Sequence, residues 1–539
     1  MKLRLFVVLS CAYLLLASRE QPWGDAHVVY DTTQNMVDHF GKADPPKKGV
    51  PPRTLLERAF DRLHIEVNLG GPPQFYAIRN GKKYGVFPMG NVVAMVPSYL
   101  AFRALRAIPH KPLVDELLFR YTSHLSPSLL IAGVCVLFFA MARREGASER
   151  AAMWMTLLLG FATILFIYAR VPFSEALQML LLTWTVERGL VLGDRLSRRG
   201  AFFAGLACGL LFNTKLIYAL VIPVVLVYVV VQNRKQPRAL VEALVVAAVP
   251  LVALGLFAIA HNYVKTGTLA DSGYRIPEGV FSGDAYAALW GYFFSTGKSV
   301  FLYTPALVLG ALALPSYLRE RRAHAIFLIA VSVVVTLANA KFRYWHADYC
   351  WGPRLLVPLT AVWMLPAATW IEGALLRGRR RLRALGLGAL VGAGIWVQVL
   401  GASFYWDHYI RIAIAVKDQT GAPGWYTEDL HHCHFIPQFS PLVGHAWLLR
   451  HVLHDDANLL ADAPWKRVVP GPVNLYGEWT GLKFDWWLLD WGRIKEARVW
   501  AALIVLVLVG LGAWAAAGLG DGRPRRARPE KSRRVGAIQ

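Results

Sequence analysis

Residues 123–193 read SHLSPSLLIAGVCVLFFAMARREGASERAAMWMTLLLGFATILFIYARVPFSEALQMLLLTWTVERGLVLG, three apolar runs joined by two short polar connections. A helix of about 20 residues crosses the roughly 30 Å hydrocarbon core of a bilayer and satisfies its own backbone there. Each run therefore predicts a transmembrane helix. Similar runs recur along the chain, and we predict about 12 spans, at residues 3–18, 123–142, 151–169, 174–193, 201–213, 214–231, 239–260, 299–318, 325–340, 355–376, 384–403 and 499–517.

The composition agrees with a membrane protein. Hydrophobic residues make up 55% of the 539 residues and charged residues 17%, whereas soluble domains usually carry about 25% charged residues. The formal net charge is +23, from 58 Lys and Arg against 35 Asp and Glu. Because the basic residues cluster in every second connection, this excess indicates cytoplasmic loops rather than a nucleic-acid partner.

This alternation predicts which segments face outward. It holds only if the apolar stretch 87–107, which contains Pro88 and Pro97, lies at the outer interface instead of crossing the membrane. The predicted fold is an all-α polytopic membrane protein with outer juxtamembrane helices and a periplasmic loop domain. The predicted units are a first, uncleaved transmembrane helix (1–18), a first periplasmic loop (19–122), a transmembrane core (123–403), a large periplasmic loop (404–498), a last transmembrane helix (499–518) and a basic cytoplasmic tail (519–539).

Two acids lie close to the predicted outer membrane boundary. Asp25 follows the first span, and Glu175 ends the short turn 170–175. A carboxylate near lipid is costly unless it has a partner or a function. Glu175 and Arg170 either pair with each other or cap the helix that Ser174 opens; alternatively, Glu175 joins Asp25 in one cavity to hold a substrate hydroxyl or a divalent cation such as Mg²⁺ or Mn²⁺. We expect the next acid, Asp31, to cap a helix over residues 32–39.

Cations at the same boundary suit a phosphate. Lys215, Lys298 and Arg354 each stand at the outer end of a predicted span. Such groups bind lipid phosphates well, although long basic side chains near helix ends also simply extend to the interface. The run His431 to His434 is not expected to bind a metal, because consecutive residues cannot all face one ion. Cys350 and Cys433 are both predicted outside, so a disulfide between them stays open.

Several segments match a known family when they are taken in order. They are GD (24–25) with Tyr30, KYGVFPMG (83–90), FSEAL (173–177), GLACGLLFNTK (205–215), FSTGKSVF (294–301) with YTP (303–305), and WGPR (351–354). Together they resemble the C-type glycosyltransferases, which include protein O-mannosyltransferases and the bacterial lipid A aminoarabinose transferase. The resemblance covers about two-thirds of the chain, and each motif is loose.

The resemblance implies an inverting hexosyl or pentosyl transfer from a polyprenyl-phosphate carrier. The acceptor would be an envelope lipid, glycan or protein at the periplasmic face of a bacterial inner membrane. Asp25 matches the acid that acts on the acceptor hydroxyl or orients it, and Glu175 matches the acid of the second short outer loop. The implied substrate-binding residues are Lys83, Arg170, Lys215, Lys298, Tyr303 and Arg354.

Two questions stay open at this point. Some relatives carry two adjacent acids in the first loop, whereas Asp25 is followed by Ala26, so a divalent cation cofactor is uncertain. The same phosphate-binding cations would also suit a transporter or flippase of a lipid-linked sugar. Such proteins place polar sites near the bilayer midplane and often contain repeats. We find no internal repeat, and the ionisable residues lie at the outer boundary, which favours an enzyme.

Overall fold

The computed structural model describes residues 1–22, 24–42, 54–68, 75–269, 271–274, 279–347, 349–376, 380–420, 431–454, 462–469, 473 and 483–520. The predicted basic tail lies outside these ranges from residue 521 onward. In the described part of the chain the regular secondary structure is helical except for one short hairpin. The first half contains α1 (Lys2–Leu15), α2 (Asp25–His39), α3 (Leu55–Asp61), β1 (Tyr76–Arg79), β2 (Lys82–Gly85), α4 (Met89–Arg106), α5 (Pro112–Ser123), α6 (Leu125–Arg144), α7 (Glu149–Phe161), α8 (Leu165–Tyr168), α9 (Glu175–Asp194), α10 (Arg198–Phe212), α11 (Val221–Asn233) and α12 (Pro237–Thr266).

The second half continues with helices of mixed length. They are α13 (Ala285–Phe294), α14 (Val300–Tyr303), α15 (Leu307–Glu320), α16 (Arg322–Ala340), α17 (Thr360–Leu376), α18 (Arg380–Ser403), α19 (Trp406–Thr420), α20 (His431–Phe435), α21 (Pro441–His454), α22 (Trp487–Arg493) and α23 (Lys495–Gly520). Short 3₁₀ helices cover Leu216–Leu220, Arg354–Leu359, Pro437–Phe439 and Pro464–Arg467.

The predicted spans all coincide with helical segments. Within the described residues, seven helices are long and apolar enough to cross a membrane, the architecture of an all-α polytopic membrane protein. These seven helices are Pro112–Arg144, Leu216–Asn233, Pro237–Thr266, Arg322–Ala340, Arg354–Gly373, Ala384–Ser403 and Lys495–Leu519. The total of 12 spans stays a prediction, because segments such as α1 and α10 have only 14 and 15 helical residues.

The helices differ in what surrounds them. On α12 and α23, large apolar side chains such as Val249 and Leu506 are 64% and 70% exposed. An apolar surface of this extent requires lipid around it. By contrast, Leu359, Met364 and Leu365 in and before α17 are fully buried. The segment that follows Arg354 therefore lies at the centre of the bundle, with α12 and α23 at its edge.

The hairpin and α2 build a small unit beside the bundle. β1 pairs antiparallel with β2, from Tyr76 opposite Gly85 to Arg79 opposite Lys82. The two residues between them, Asn80 and Gly81, both have positive φ, as a tight hairpin turn requires.

The helix α2 packs against α4, which spans most of the predicted interfacial stretch 87–107. The Thr33 hydroxyl donates to the Val92 carbonyl at 2.9 Å. The predicted cap at Asp31 is wrong: α2 already begins at Asp25, so Asp31 lies inside the helix. Its carboxylate instead accepts a hydrogen bond from the Asn68 backbone N–H at 2.8 Å.

Candidate active site

Arg354 joins the two acids that the sequence singles out. Its Nη2 donates to Asp25 Oδ2 at 2.5 Å, and its Nε lies 2.9 Å from Glu175 Oε1. The two carboxylates come from the starts of two separate helices, α2 and α9. Among the alternatives for Glu175, the structure therefore selects the shared cluster with Asp25 and excludes the pair with Arg170.

Local backbone structure places each member of this cluster. Asp25 and Glu175 are the first residues of α2 and α9, where the helix dipole favours negative charge. Arg354 opens a 3₁₀ helix after Gly352, whose φ is +66°. A side chain at Gly352 would also be obstructed, because its Cβ would lie 2.8 Å from the Tyr303 ring. The turn before Arg354 thus requires glycine.

The cluster is largely shielded from solvent, and unevenly so. The Asp25 side chain is 24% exposed, that of Arg354 12% and that of Glu175 3%. The guanidinium lies over Phe173, with Cζ 4.0 Å from the ring centroid, a favourable cation–π geometry. Although Arg354 Nε is close to Glu175, it has no aligned hydrogen-bond acceptor. The Glu175 contact is therefore an ion pair rather than a second strong hydrogen bond.

Lys215 is the next cation of the site. It follows α10, in a connection that the start of α4 holds in place: the Gly90 N–H donates to Asn213 O at 3.0 Å, and Asn91 Nδ2 donates to Thr214 O at 3.0 Å. Lys215 Nζ donates to Asn339 Oδ1 at 3.5 Å. It also lies within electrostatic range of all three members of the Arg354 cluster.

Lys298 is held against the turn that carries Arg354. Its Nζ donates to the Gly352 carbonyl at 3.3 Å and to Cys350 Sγ at 3.1 Å, and its side chain is buried. The Arg354 N–H donates to the same Gly352 carbonyl at 3.0 Å. Lys298 therefore supports this turn and adds positive charge beside it.

The other predicted substrate-binding residues lie in different surroundings. Arg170 is buried, pairs with Asp485 at 3.5 Å and donates to three backbone carbonyls, so the protein itself occupies its guanidinium. Lys83 lies on the exposed face of β2. Tyr303 is fully buried and packs edge-on against Trp351 at 5.0 Å. No contact described in the structure joins these three residues to Arg354.

Tyr274 belongs to the site although the sequence gives no sign of it. It ends a short loop that Lys265 holds, since Lys265 Nζ donates to Val86 O at 3.0 Å and to Ser272 O at 3.2 Å. Burial, followed by the neighbouring charge of Asp25, raises the pKa of Tyr274 above its ordinary value. The hydroxyl thus keeps its proton at neutral pH and is a neutral donor near that carboxylate.

A chain of hydrogen bonds leads to Glu175 from the element beside Lys215. The Tyr218 hydroxyl donates to Gln178 Oε1 at 3.0 Å, and Gln178 Nε2 donates to Ser174 Oγ at 2.9 Å. Ser174 Oγ in turn donates to Glu175 Oε2 at 3.5 Å. Sequence analysis missed Gln178 and Tyr218, because neutral polar residues inside apolar runs give no distinctive pattern.

The arrangement of the acids bears on metal binding. Arg354 stands between Asp25 and Glu175, so this pair does not offer both carboxylates to one cation. Among the described residues no group of three or more His, Cys, Asp and Glu side chains could hold a metal ion.

Several histidine and cysteine side chains of the segments predicted to lie outside are buried, among them His432, His434, Cys350 and Cys433. The His431 to His434 run forms the short helix α20, and its His432 contacts Ala413 O at 3.1 Å. Cys350 and Cys433 are both free and buried, so the disulfide that the sequence allowed is absent.

Comparisons with known proteins give matches among solved structures only. No protein-family model and no curated protein matches the chain. The structure is similar to ArnT from Cupriavidus metallidurans, both bound to undecaprenyl phosphate (TM-score 0.46, 14% identity, 84% of this chain and 76% of that one) and in the apo state (0.49, 14%, 83% and 76%). It is also similar to the oligosaccharyltransferase AglB from Archaeoglobus fulgidus, in complex with an inhibitory peptide and a dolichol-phosphate (0.48, 10%, 78% and 58%).

Both neighbours are C-type glycosyltransferases, the family that the sequence motifs resemble. At these identities and TM-scores the overall likeness supports no functional conclusion. The function of this chain is therefore argued from its own side chains.

Proposed function

We propose that this chain is an inverting glycosyltransferase that moves a sugar from a polyprenyl-phosphate carrier to an acceptor at the outer face of a membrane. The observation that carries the proposal is the contact of Arg354 with both Asp25 and Glu175. Three residues from distant parts of the sequence thus meet in one partly shielded cluster, and the sequence singles out each of them because of its charge near the predicted membrane boundary. The same function was expected from the family resemblance of the motifs around them.

The charges of the cluster suit a donor phosphate. Arg354, Lys215 and Lys298 carry three positive charges and the two acids two negative ones, which leaves one net positive charge. A polyprenyl-phosphate sugar carries one negative charge at its phosphodiester. Cations already in place stabilise the second negative charge that develops on the phosphate as the sugar leaves, so the leaving group needs no proton.

The unequal exposure of the two acids separates their roles. An acceptor hydroxyl can reach Asp25, which is 24% exposed, but not Glu175, which is 3% exposed. In the proposed reaction the acceptor oxygen bonds to the anomeric carbon and the bond from that carbon to the phosphate oxygen breaks. Asp25 takes the acceptor proton. Glu175 holds Arg354 in place, and Arg354 supplies the charge that a metal would otherwise provide.

The wider setting is also part of the proposal. The helices long enough to cross a membrane support a multi-pass membrane protein. The basic connections favour placing the Arg354 cluster at the periplasmic side of a bacterial inner membrane. A site at this boundary suits a carrier whose polyprenyl tail stays in the bilayer, and an envelope lipid, glycan or protein as acceptor.

Transfer from defined carriers tests the proposal. The purified protein in liposomes is given undecaprenyl-phosphate-linked hexoses and pentoses, with an extract of envelope lipids and glycans as acceptor. Labelled product and released undecaprenyl phosphate are both measured. We expect transfer by the wild type and no turnover by Asp25→Asn. Asp38→Asn, which changes another acid of α2 that pairs with Arg103 at the surface, should remain active.

Two outcomes would contradict the assignment. Full activity of Asp25→Asn would remove this carboxylate from the reaction. Movement of the labelled carrier lipid across the liposome membrane, without chemical transfer to any acceptor, would favour a flippase.

A further inference from the structure

A groove lies on the side of the bundle between three helices, away from the Arg354 cluster. Its volume is about 420 Å³, and its walls come from α1, α6 and α9. The lining is apolar, with side chains such as Phe6, Leu137 and Trp184, except for Lys2. Because α1, α6 and α9 coincide with predicted membrane spans, we expect this surface to lie within the membrane.

One wall of the groove contains a position without a side chain. Gly133 lines the groove opposite Leu180 of α9. A Cβ at Gly133 would lie 3.3 Å from Leu180 Cδ1, so any larger side chain would project into the space between the helices. A leucine there would occupy part of the groove.

The inner end of the groove lies about one leaflet away from a basic boundary. Along α6 the lining runs from Gly133 to Ala140, which is about 10 Å of helix at 1.5 Å per residue. Gly133 lies ten residues before Arg143 in the last turn of α6, or about 15 Å, and half of a hydrocarbon core of about 30 Å is the same distance. The groove thus covers most of one leaflet, which suits an acyl chain.

Lys2 gives the groove a charge preference. The other cations at the end of α6 are engaged within the protein: Arg144 pairs with Asp194 at 2.7 Å, and Arg143 donates to Ala147 O at 2.5 Å. Within the described part of the chain Lys2 forms no ion pair. Its ammonium is therefore available at the groove for an anionic group.

We propose that the groove binds one anionic phospholipid, with an acyl chain between α1, α6 and α9 and the phosphate beside Lys2. The apolar walls and their length select a hydrocarbon chain, and Lys2 selects a negatively charged headgroup. By the sidedness of the basic connections, this lipid belongs to the cytoplasmic leaflet. It is thus distinct from the carrier at the Arg354 cluster, and the proposal does not depend on glycosyl transfer.

Lipid titration of the purified full-length protein in detergent tests the proposal. Binding of phosphatidylglycerol and of phosphatidylcholine with identical acyl chains is measured by native mass spectrometry. We expect one phosphatidylglycerol to bind preferentially. Gly133→Leu should weaken the binding of both lipids about tenfold. Lys2→Gln should remove only the preference for phosphatidylglycerol.

Matched controls separate the groove from the rest of the lipid-facing surface. Gly255→Leu places the same side chain on α12, where a Cβ meets no atom within 4 Å, and Lys235→Gln removes an exposed cation of another loop. Neither should change binding. If Gly133→Leu does not fold, Ala140→Phe fills the same groove. Equal binding of the two lipids by the wild type, or equal effects of the groove and control variants, would overturn the proposal.

Discussion

Replacing Arg354 by alanine should destabilise the protein mainly through Glu175. The guanidinium is the cation that the structure places against this carboxylate, which is 3% exposed. Breaking a buried ion pair by removing one partner costs about 3–5 kcal/mol, because the remaining charge stays buried without compensation. The Asp25 side chain is 24% exposed, so water can replace part of the interaction that its carboxylate loses when the guanidinium is removed.

A second substitution should recover most of that loss. Glu175→Gln removes the negative charge that the loss of Arg354 leaves buried without a counterion, and it keeps the shape of the side chain. We therefore expect Arg354→Ala with Glu175→Gln to be more stable than Arg354→Ala alone by about 2 kcal/mol or more. Asp25→Asn in the same background should recover much less, because its carboxylate already contacts solvent.

Thermal unfolding of the purified protein in detergent, followed by circular dichroism, measures these differences. Arg354→Ala should lower the midpoint by on the order of 5 °C, and the double variant should regain most of the shift. Arg411→Ala is the control, because its pair with Asp407 is an exposed one within a single helix and is worth well under 1 kcal/mol. A wild-type midpoint for Arg354→Ala, or a double variant no more stable than the single one, would refute the reasoning.

Two further predictions concern the Arg354 cluster, and a third concerns the separate pair of Arg170 with Asp485. Tyr218→Phe should lower kcat several-fold in wild type but have no further effect in Glu175→Gln, because it acts through that carboxylate; additive effects would contradict this. A chelator should leave transfer unchanged if Arg354 takes the place of a metal as proposed; loss of activity restored by Mg²⁺ or Mn²⁺ would contradict that proposal. Burial raises the pKa of Asp485 despite Arg170, so the folded state binds the proton more tightly than the unfolded state. The wild type should therefore lose stability relative to Asp485→Asn as pH rises from about 4 through this raised pKa, and a constant difference between their unfolding midpoints would refute it.

The helical architecture could be predicted because it depends on local composition. Apolar runs bounded by arginines identify helices wherever lipid surrounds them, and each predicted span has a helical counterpart. The start of α2 could not be predicted in this way, because that helix begins at Asp25 after Gly24, whose own backbone has a positive φ of 55°. The preference of Asp31 for a helix cap was outweighed by its place inside a longer helix, where Asn68 satisfies it.

The three charged residues of the Arg354 cluster could each be proposed from the sequence, but their pairing and the neutral residues around them could not. Charge and sidedness bring Asp25, Glu175 and Arg354 to one boundary, yet both Arg170 and Arg354 could have paired with Glu175. Tertiary packing decides between them: the chain around Asp485 occupies Arg170. No sequence pattern encodes such a distance between loops.

The ion pair between Arg354 and Asp25 has a kinetic consequence for the proposed reaction. While Asp25 accepts from the guanidinium, this oxygen is not available to an acceptor hydroxyl. A donor phosphate that binds Arg354 competes with Asp25 for the N–H groups of the guanidinium and so releases the Asp25 carboxylate. Glu175 keeps its contact with Arg354, because it is too deeply buried for the phosphate to displace it. Donor should therefore bind before acceptor. Undecaprenyl phosphate should then inhibit competitively against the donor, and an acceptor analogue should inhibit uncompetitively against it; noncompetitive or mixed inhibition by the acceptor analogue would show that Asp25 is accessible before the donor binds.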